Sequence, residues 1–271
     1  MGIMQKTAII IPCYNEELRL DSSAFAEFGA MNPELHFIFV NDGSTDGTER
    51  KLADLSRLNP SQMHFISLER NYGKAEAVRR GFIKALGMDF VNIGYWDADL
   101  STPLTTIPRF CELLNPQGIS LVIGSRVRLL GRRIRRRAIR HYLGRIFATC
   151  ASLFLQLPVY DTQCGAKLFK NSKELKVIFA KPFIVNWTFD VEILARFILA
   201  ERFMGTGSLK DRALEYPLEE WTGVPGSKVK SIDFAVAFVE LVRIFLILHA
   251  PGAGNRFLKL AGIDLDISLH P

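Results

Sequence analysis

Two aspartates separated by one residue, Asp97 and Asp99, are the residues of this chain best suited to chemistry. They follow an apolar run, Phe90–Trp96, which predicts a buried strand. Because an unpaired carboxylate is costly to bury, two of them at the end of a core strand need a neutralising partner. A hydrated divalent cation, held by carboxylates and substrate phosphates, is the usual partner at such a position. The pair therefore predicts a cation site.

Strand-like apolar runs and helical patterns alternate through the first half of the chain. The strand patterns cover 7–12, 35–41, 63–68, 89–96 and 119–125, and the helical patterns lie near 16–30, 46–58, 74–86 and 104–114. This alternation is typical of an α/β fold, in which helices cover both faces of a mostly parallel sheet. Ligands of such sheets bind at the carboxyl ends of the strands.

Three polar clusters stand at predicted strand ends, so we expect them to converge on one crevice. They are Pro12–Glu16, Asn41–Asp46 and Asp97–Asp99. In the second cluster the carboxylate of Asp42 can accept hydrogen bonds from a nucleobase or a ribose hydroxyl. The first cluster suits a loop and a helix N-cap equally well. Gly73 and Lys74 begin a further helix, whose N-terminus permits close approach of an anion or a nucleotide.

The second half of the chain is more helical. An amphipathic helix near 137–157, with Leu143, Ile146 and Leu153 on its apolar side, is followed by a helix near 188–200 and a strand near 210–217. A last helix over 231–249 has a narrow charged stripe of Asp233, Glu240 and Arg243 and a wide apolar arc. Polar residues interrupt both apolar helices, so neither predicts a membrane span. We expect a catalytic domain over 1–230 and an amphipathic, membrane-interfacial helix and tail over 231–271.

Positive charge is concentrated in one stretch. Nine of the 34 basic residues are arginines between Arg126 and Arg145, where no acid stands. Such a patch favours a phosphate-rich partner: an anionic membrane, a lipid phosphate or a nucleic acid. Arg126 ends the fifth strand, where a guanidinium can bind a phosphate with two hydrogen bonds. Arg140 lies off the polar stripe of its helix, beside Gly144, and could bind a buried phosphate.

The composition, 48% hydrophobic and 23% charged, is that of an ordinary globular protein. The four cysteines have no paired metal-binding spacing. Because a large, apolar-rich domain needs no disulfides, we expect reduced thiols and a cytoplasmic setting.

Taken together, the polar segments resemble family 2 glycosyltransferases of the GT-A fold, over roughly residues 5–250. The matching segments are Ile10–Glu16, Val40–Asp46, Asn71–Lys74, Asp97–Asp99 and Gly124–Arg126. Asp161–Gly165, Trp187–Glu192 and Pro225–Lys228 resemble the polyprenyl-phosphate sugar synthases within that family, in particular those that transfer glucose to dolichyl or bactoprenyl phosphate.

The resemblance implies an inverting transfer of a sugar, with UDP-glucose favoured as donor, to a polyprenyl phosphate. The arginine-rich stretch and the wide apolar arc of 231–249 predict peripheral association with the cytoplasmic face of a membrane. The resemblance also implies that Asp97 and Asp99 hold Mg²⁺ or Mn²⁺ against the donor diphosphate, and that Arg126 and Arg140 bind phosphate of donor or acceptor. Lys228 would close over the diphosphate, and these five residues form the implied catalytic set. The implied nucleotide-sugar site comprises Pro12, Tyr14, Glu16, Asp42, Asn71, Gly73 and Lys74, together with Asp97, Asp99 and Lys228.

Other functions stay open. A glycosyltransferase of the same fold could use a soluble saccharide or protein acceptor. A nucleic-acid-binding protein could use the Arg126–Arg145 stretch, but acids in the crevice would repel a polyanion, and we expect no nucleic-acid partner. A nucleotidyltransferase is disfavoured, because Pro12–Glu16 stand where its glycine-rich phosphate loop would be.

Overall fold

The computed structural model describes residues 4–115, 118–135, 138–224 and 231–249, with Gly252; for 138–141 and 231–234 it describes the backbone alone. The strands are β1 Thr7–Cys13, β2 Leu35–Asn41, β3 Met63–Ser67, β4 Asn92–Trp96, β5 Leu121–Ser125, β6 Arg133–Arg135, β7 Ala166–Lys170, β8 Ala213–Pro217 and β9 Glu220–Thr222. The helices are α1 Ser22–Met31, α2 Thr48–Leu58, α3 Lys74–Leu86, α4 Ile107–Leu114, α5 Ala138–Leu155, α6 Lys173–Ala180, α7 Phe189–Met204, α8 Leu209–Arg212 and α9 Ser231–His249.

Seven strands form the central sheet, in the order β3-β2-β1-β4-β7-β5-β8. All neighbours are parallel except β7, which runs antiparallel to both β4 and β5. Because β1 lies between β2 and β4, the carboxyl ends of these three strands meet at one edge. Cys13 is in register with Asn41, and Ile10 with Tyr95. The predicted mostly parallel α/β fold is confirmed.

Successive strand residues face two separate hydrophobic cores, as the two-residue period of a strand requires. Ile10, Ile38 and Tyr95 face a core that is closed by α3, α5, α6, α7 and α9. The neighbouring side chains Ile9 and Trp96 face a second core, closed by α1, α2 and α4. Helices therefore cover both faces of the sheet, as predicted.

Several boundaries and elements differ from the sequence prediction. Helix α1 begins at Ser22 rather than near residue 16, because the carboxylate of Asp21 accepts the Ala24 N–H and caps the helix. The alternation also continues beyond Arg126: β7, α6 and β8 extend the α/β unit. Strand β7 was not predicted, since Lys167 interrupts its apolar run; in the structure this lysine is fully buried.

Helices α5 and α9 pack against each other and leave apolar side chains exposed. The predicted apolar side of α5 is mostly outside the core: Ile146 and Leu153 are exposed, whereas Phe147 and Ala151 face α9 and the sheet. Helix α9 exposes Val236, Val239, Val242 and Leu246. Over the described residues, no helix has both the length and the hydropathy that crossing a bilayer requires. The division of the chain at residue 230 stays a prediction.

Candidate functional site

The two aspartates lie in the loop that follows β4, at the carboxyl edge of the sheet. Asp99 accepts the Ser101 N–H at 3.1 Å, and the indole N–H of Trp96 donates to the Thr102 carbonyl oxygen at 3.1 Å. These bonds close a tight turn in which Leu100 takes a left-handed φ of 54°. Burial raises the pKa of Asp99, and the nearby charge of Asp97 raises it further. The turn thus concentrates negative charge that a cation would neutralise.

Asp97 is held between two neighbours. Its Oδ1 accepts a hydrogen bond from Lys74 Nζ at 2.5 Å. On the other side stands Gly165, where a Cβ atom would overlap the Asp97 carboxylate. Only glycine lets the chain pass so close, so the Asp161–Gly165 segment is part of the site. In the sequence this segment stood out only through its resemblance to the polyprenyl-phosphate sugar synthases.

The carboxylate pair suits a hard divalent cation. Oxygen ligands are those that Mg²⁺ and Mn²⁺ prefer. No cluster of three or more His, Cys, Asp or Glu side chains in the described ranges forms a complete metal site. A cation on Asp97 and Asp99 would therefore take its other ligands from phosphates and water, as Mg²⁺ commonly does.

The loops after β1 and β2 are joined by hydrogen bonds beside this pair. The Asn15 N–H donates to Ser44 Oγ at 3.0 Å, and the Thr45 N–H donates to Asn15 Oδ1 at 2.8 Å. The Glu16 N–H donates to Thr48 Oγ1 at 2.8 Å. Lys74 and Arg19 link these loops to Asp97, so the expected convergence of the three polar clusters is confirmed. We call residues 12–16, 41–48 and 70–74 the first wall of the crevice.

Within the first wall, Asp42 holds the loop that leads into α3. Its two carboxylate oxygens accept the N–H groups of Tyr72 and Gly73 at 2.8 and 2.9 Å, and only 2% of the residue is exposed. Gly43 permits this approach: it has a φ of 62°, and a Cβ there would overlap the backbone of Arg70. Asp42 therefore places Lys74 beside Asp97. Direct contact of Asp42 with a nucleotide stays a prediction.

The other predicted nucleotide-site residues also lie in the first wall. Pro12 and Tyr14 are half-buried at the end of β1, and Asn71 is exposed before α3. Glu16 is buried and accepts a hydrogen bond from Arg19 Nε at 2.7 Å. Arg19 was not predicted from the sequence. Its guanidinium lies near Asp97 and Asp99; although burial lowers its pKa, Glu16 and these negative charges raise it. The contacts of these residues with a donor stay predictions.

Arg126 is paired with a carboxylate that the sequence analysis did not select. Its Nε and Nη2 donate to the two oxygens of Asp161 at 2.7 and 2.8 Å. The Tyr160 and Asp161 N–H groups in turn donate to Glu215, both at 2.7 Å. Binding of a phosphate by Arg126 stays a prediction, and it would occur beside this pair.

A second buried pair lies beneath Asp97. Lys167 is fully buried and forms an ion pair with Asp190, which also accepts the hydroxyl of Tyr95. Lys167 Nζ also donates to the carbonyl oxygens of Thr162 and Cys164 at 2.9 and 2.8 Å. Burial and the charge of Asp190 raise the pKa of Tyr95 well above its ordinary value. We call residues 161–167 and 186–190 the second wall. The side chain of Arg140 and the whole of Lys228 lie outside the described residues.

Comparisons with known proteins agree with this geometry. The family model described as Glycosyl transferase family 2 matches residues 8–175. The chain is similar to dolichyl-phosphate beta-glucosyltransferase of Saccharomyces cerevisiae, with 31% identity over 88% of this chain and 73% of that protein. It is similar to the Drosophila melanogaster protein of that name, with 32% identity over 82% of this chain and 68% of the relative.

Among solved structures, glucosyl-3-phosphoglycerate synthase from Mycobacterium tuberculosis in complex with UDP matches with a TM-score of 0.59 and 18% identity. The match covers 90% of this chain and 80% of that one, and at this identity it shows the fold. A complex of the same enzyme with Mn²⁺, UDP and glucosyl-3-phosphoglycerate matches with a TM-score of 0.58. The chain has a GT-A fold and belongs to glycosyl transferase family 2, so it is a glycosyltransferase.

Proposed function

We propose that this enzyme is an inverting hexosyltransferase that moves a sugar from a nucleotide donor, with UDP-glucose favoured, to a polyprenyl phosphate at a membrane surface. The observation that carries the proposal is the Asp97–Asp99 pair at the carboxyl edge of the sheet, in which Asp97 stands between Lys74 and Gly165. The names of the relatives support a glucosyl donor and a dolichyl phosphate acceptor. A structural neighbour bound to Mn²⁺ and UDP-glucose supports the donor class and the cation.

The donor side must stabilise a departing diphosphate. A divalent cation, Mg²⁺ or Mn²⁺, supplies that charge stabilisation when it is bound. Asp97 and Asp99 are the residues that would hold it, and the ammonium of Lys74 adds positive charge beside Asp97. The predicted role of Lys228, closing over the diphosphate, belongs to the same proposal.

The acceptor side needs positioning more than proton abstraction. A phosphate monoester is already ionised near neutral pH, so its oxygen attacks the anomeric carbon without a strong base while the bond to the diphosphate breaks on the opposite face. The buried acids nearest to Asp97 in the second wall are engaged by cations: Asp161 by Arg126, and Asp190 by Lys167. We assign the binding of the acceptor phosphate to Arg126 and Arg140.

The exposed surfaces of α5 and α9 support action at a membrane. Ile146 and Leu153 on α5 and Val239 and Leu246 on α9 are exposed apolar side chains, and Leu130 in the arginine-rich stretch is fully exposed. Basic residues near an anionic leaflet contribute about 1 kcal/mol each, and an interfacial helix adds hydrophobic anchoring. The membrane-interfacial role of residues 231–271 and the cytoplasmic side of the membrane are part of this proposal.

Vesicle flotation tests the membrane proposal. We expect the protein to float with phosphatidylserine-containing vesicles and to bind less as salt is added, because the arginines contribute through charge. Binding that is indifferent to both lipid charge and salt would contradict it.

Sugar transfer itself is tested with radiolabelled UDP-glucose, UDP-galactose and GDP-mannose, each offered with undecaprenyl phosphate and Mn²⁺. We expect UDP-glucose to label the organic phase, and we expect Asp99→Ala to abolish this label. Glu27→Gln, which neutralises an exposed carboxylate on α1, is the control that should leave it unchanged. Label that passes only to a soluble saccharide or protein would support the alternative acceptor class instead.

A further inference from the structure

Glu240, in the middle of α9, accepts hydrogen bonds from three consecutive residues of a different segment. Its carboxylate accepts the N–H groups of Asn186 at 3.0 Å, Trp187 at 3.1 Å and Thr188 at 2.8 Å. It also accepts the hydroxyl of Thr188 at 2.9 Å. The sequence placed Glu240 in a charged stripe of its helix, whereas the structure turns its carboxylate toward the loop before α7.

These hydrogen bonds hold a loop that lacks a side-chain capping bond to the helix that follows it. Thr188 is the N-cap residue of α7, yet its side chain makes no capping bond to its own helix and donates to Glu240 instead. Hydrogen bonds from amides to a carboxylate are charge-assisted and roughly twice as strong as those between neutral groups. Glu240 therefore holds residues 186–188, while Glu192 of α7 accepts the N–H groups of Ile184 and Val185 just before them.

The residues that follow this loop complete the second wall. The ring of Phe189 lies 6.0 Å from Lys74 Nζ, and Lys74 in turn contacts Asp97. Asp190 is bound to Lys167 and Tyr95 below Asp97. A displaced 186–188 segment would therefore displace Phe189 and Asp190, whereas Asp97 and Asp99 would keep their bonds to Lys74 and Ser101.

Helix α9 meets two environments. Ala237, Leu241 and Ile244 are buried on the side that carries Glu240, while Val236 and Val239 are exposed. We propose that Glu240 is a positioning residue for glycosyl transfer. It holds the 186–188 loop so that Phe189 and Asp190 enclose the Asp97–Asp99 crevice. It also connects this wall to the helix with the exposed apolar face. This inference rests on the proposed function, since it takes the crevice at Asp97 and Asp99 as the place of transfer.

The kinetic test compares Glu240→Ala and Glu240→Gln with the matched control Glu27→Gln. For Glu240→Ala we expect kcat for transfer from UDP-glucose to undecaprenyl phosphate to fall by about tenfold to a hundredfold, the range for a misplaced reacting geometry. The donor KM and the Mn²⁺-dependent affinity for UDP should stay within about twofold of wild type, because the first wall is untouched. Glu240→Gln keeps one acceptor oxygen in place and should fall between Glu240→Ala and wild type.

A spectroscopic test follows the loop directly. Trp187 is partly exposed, and its own N–H is one of those that Glu240 binds. Its fluorescence is isolated as the difference between each protein and its Trp187→Phe counterpart. We expect acrylamide to quench this component more strongly in Glu240→Ala than in wild type, and Glu27→Gln to match wild type.

Three results would overturn the inference: a wild-type kcat in Glu240→Ala, unchanged quenching of Trp187, or a loss of UDP affinity as large as the loss of kcat. Should Glu240→Ala fail to fold, Glu240→Gln decides by the same criteria. Asp99→Ala, assayed in parallel, separates the two proposals. If Asp99→Ala transfers glucose normally, the proposed function fails, whereas a normal Glu240→Ala beside an inactive Asp99→Ala defeats this inference alone.

Discussion

The two walls of the crevice are built by different means. The first wall is made of short loops after neighbouring parallel strands, and side chains such as Asp42 and Asn15 bind the backbone of the adjacent loop. The second wall depends on buried ion pairs, as in Lys167–Asp190 and Arg126–Asp161. Topology is therefore enough to assemble the first wall, whereas the second wall depends on correct pairing of buried charges.

The largest effect should come from breaking the buried pair of the second wall. Asp190→Ala leaves Lys167 buried without its carboxylate, which typically costs about 3–5 kcal/mol in the free energy of unfolding. Asp54→Ala removes an exposed pair with Arg57 and should cost about 0–1 kcal/mol. Urea unfolding measures both, and equal losses would show that the buried pair has no special role.

Next in size is a change where the second wall meets the cation site. Gly165→Ala would place a Cβ against the Asp97 carboxylate and push it away. We expect a loss of about tenfold to a hundredfold in Mn²⁺-dependent binding of UDP, the usual range when a ligand's support is removed. Gly87→Ala, where a Cβ would meet nothing closer than 3.5 Å, is the control for calorimetric titration. An unchanged affinity for UDP in Gly165→Ala would show that Asp97 does not take part in Mn²⁺-dependent binding.

A smaller effect is expected in the first wall. Asp42→Asn keeps one acceptor oxygen but leaves one of the Tyr72 and Gly73 N–H groups without its partner. An unsatisfied buried group costs about 1–3 kcal/mol, so thermal unfolding should shift less than in Asp190→Ala. A larger loss than in Asp190→Ala would reverse the contrast between the walls.

The smallest effect concerns the pH dependence of stability. Burial raises the pKa of Glu215, which supports the Asp161 loop, above its ordinary value of 4.5. The folded state therefore keeps this proton at pH values where the unfolded chain has lost it, so its contribution to stability falls as pH rises through that interval. Relative to wild type, Glu215→Gln should gain stability as pH rises above 4.5 and level off beyond the raised pKa. The free energy of unfolding is measured with urea at each pH. A constant difference between Glu215→Gln and wild type across this range would contradict the assignment.

The difference between the walls also explains what the sequence could predict. Asp97, Asp99 and Asp42 stand directly after apolar runs, so the sequence shows where each strand ends in polar residues. The parallel topology then brings these ends together. The family 2 resemblance, the mostly parallel sheet and the first wall were all accessible in this way.

The second wall gives no such local signal. Lys167 makes β7 look unlike a core strand, and its partner Asp190 lies in a different element, α7. Helical spacing places Glu240 beside Arg243 but does not show that its carboxylate reaches residues 186–188. Long-range pairing of charges cannot be inferred from the periodicity of one segment.

The central claim is that the Asp97–Asp99 pair holds a cation against the donor diphosphate. A crystal structure with UDP and Mn²⁺, in which manganese is located by its anomalous scattering, tests this most directly. We expect one strong peak at coordination distance from both aspartates and from the diphosphate. A peak elsewhere, or a diphosphate bound away from Asp97 and Asp99, would contradict it.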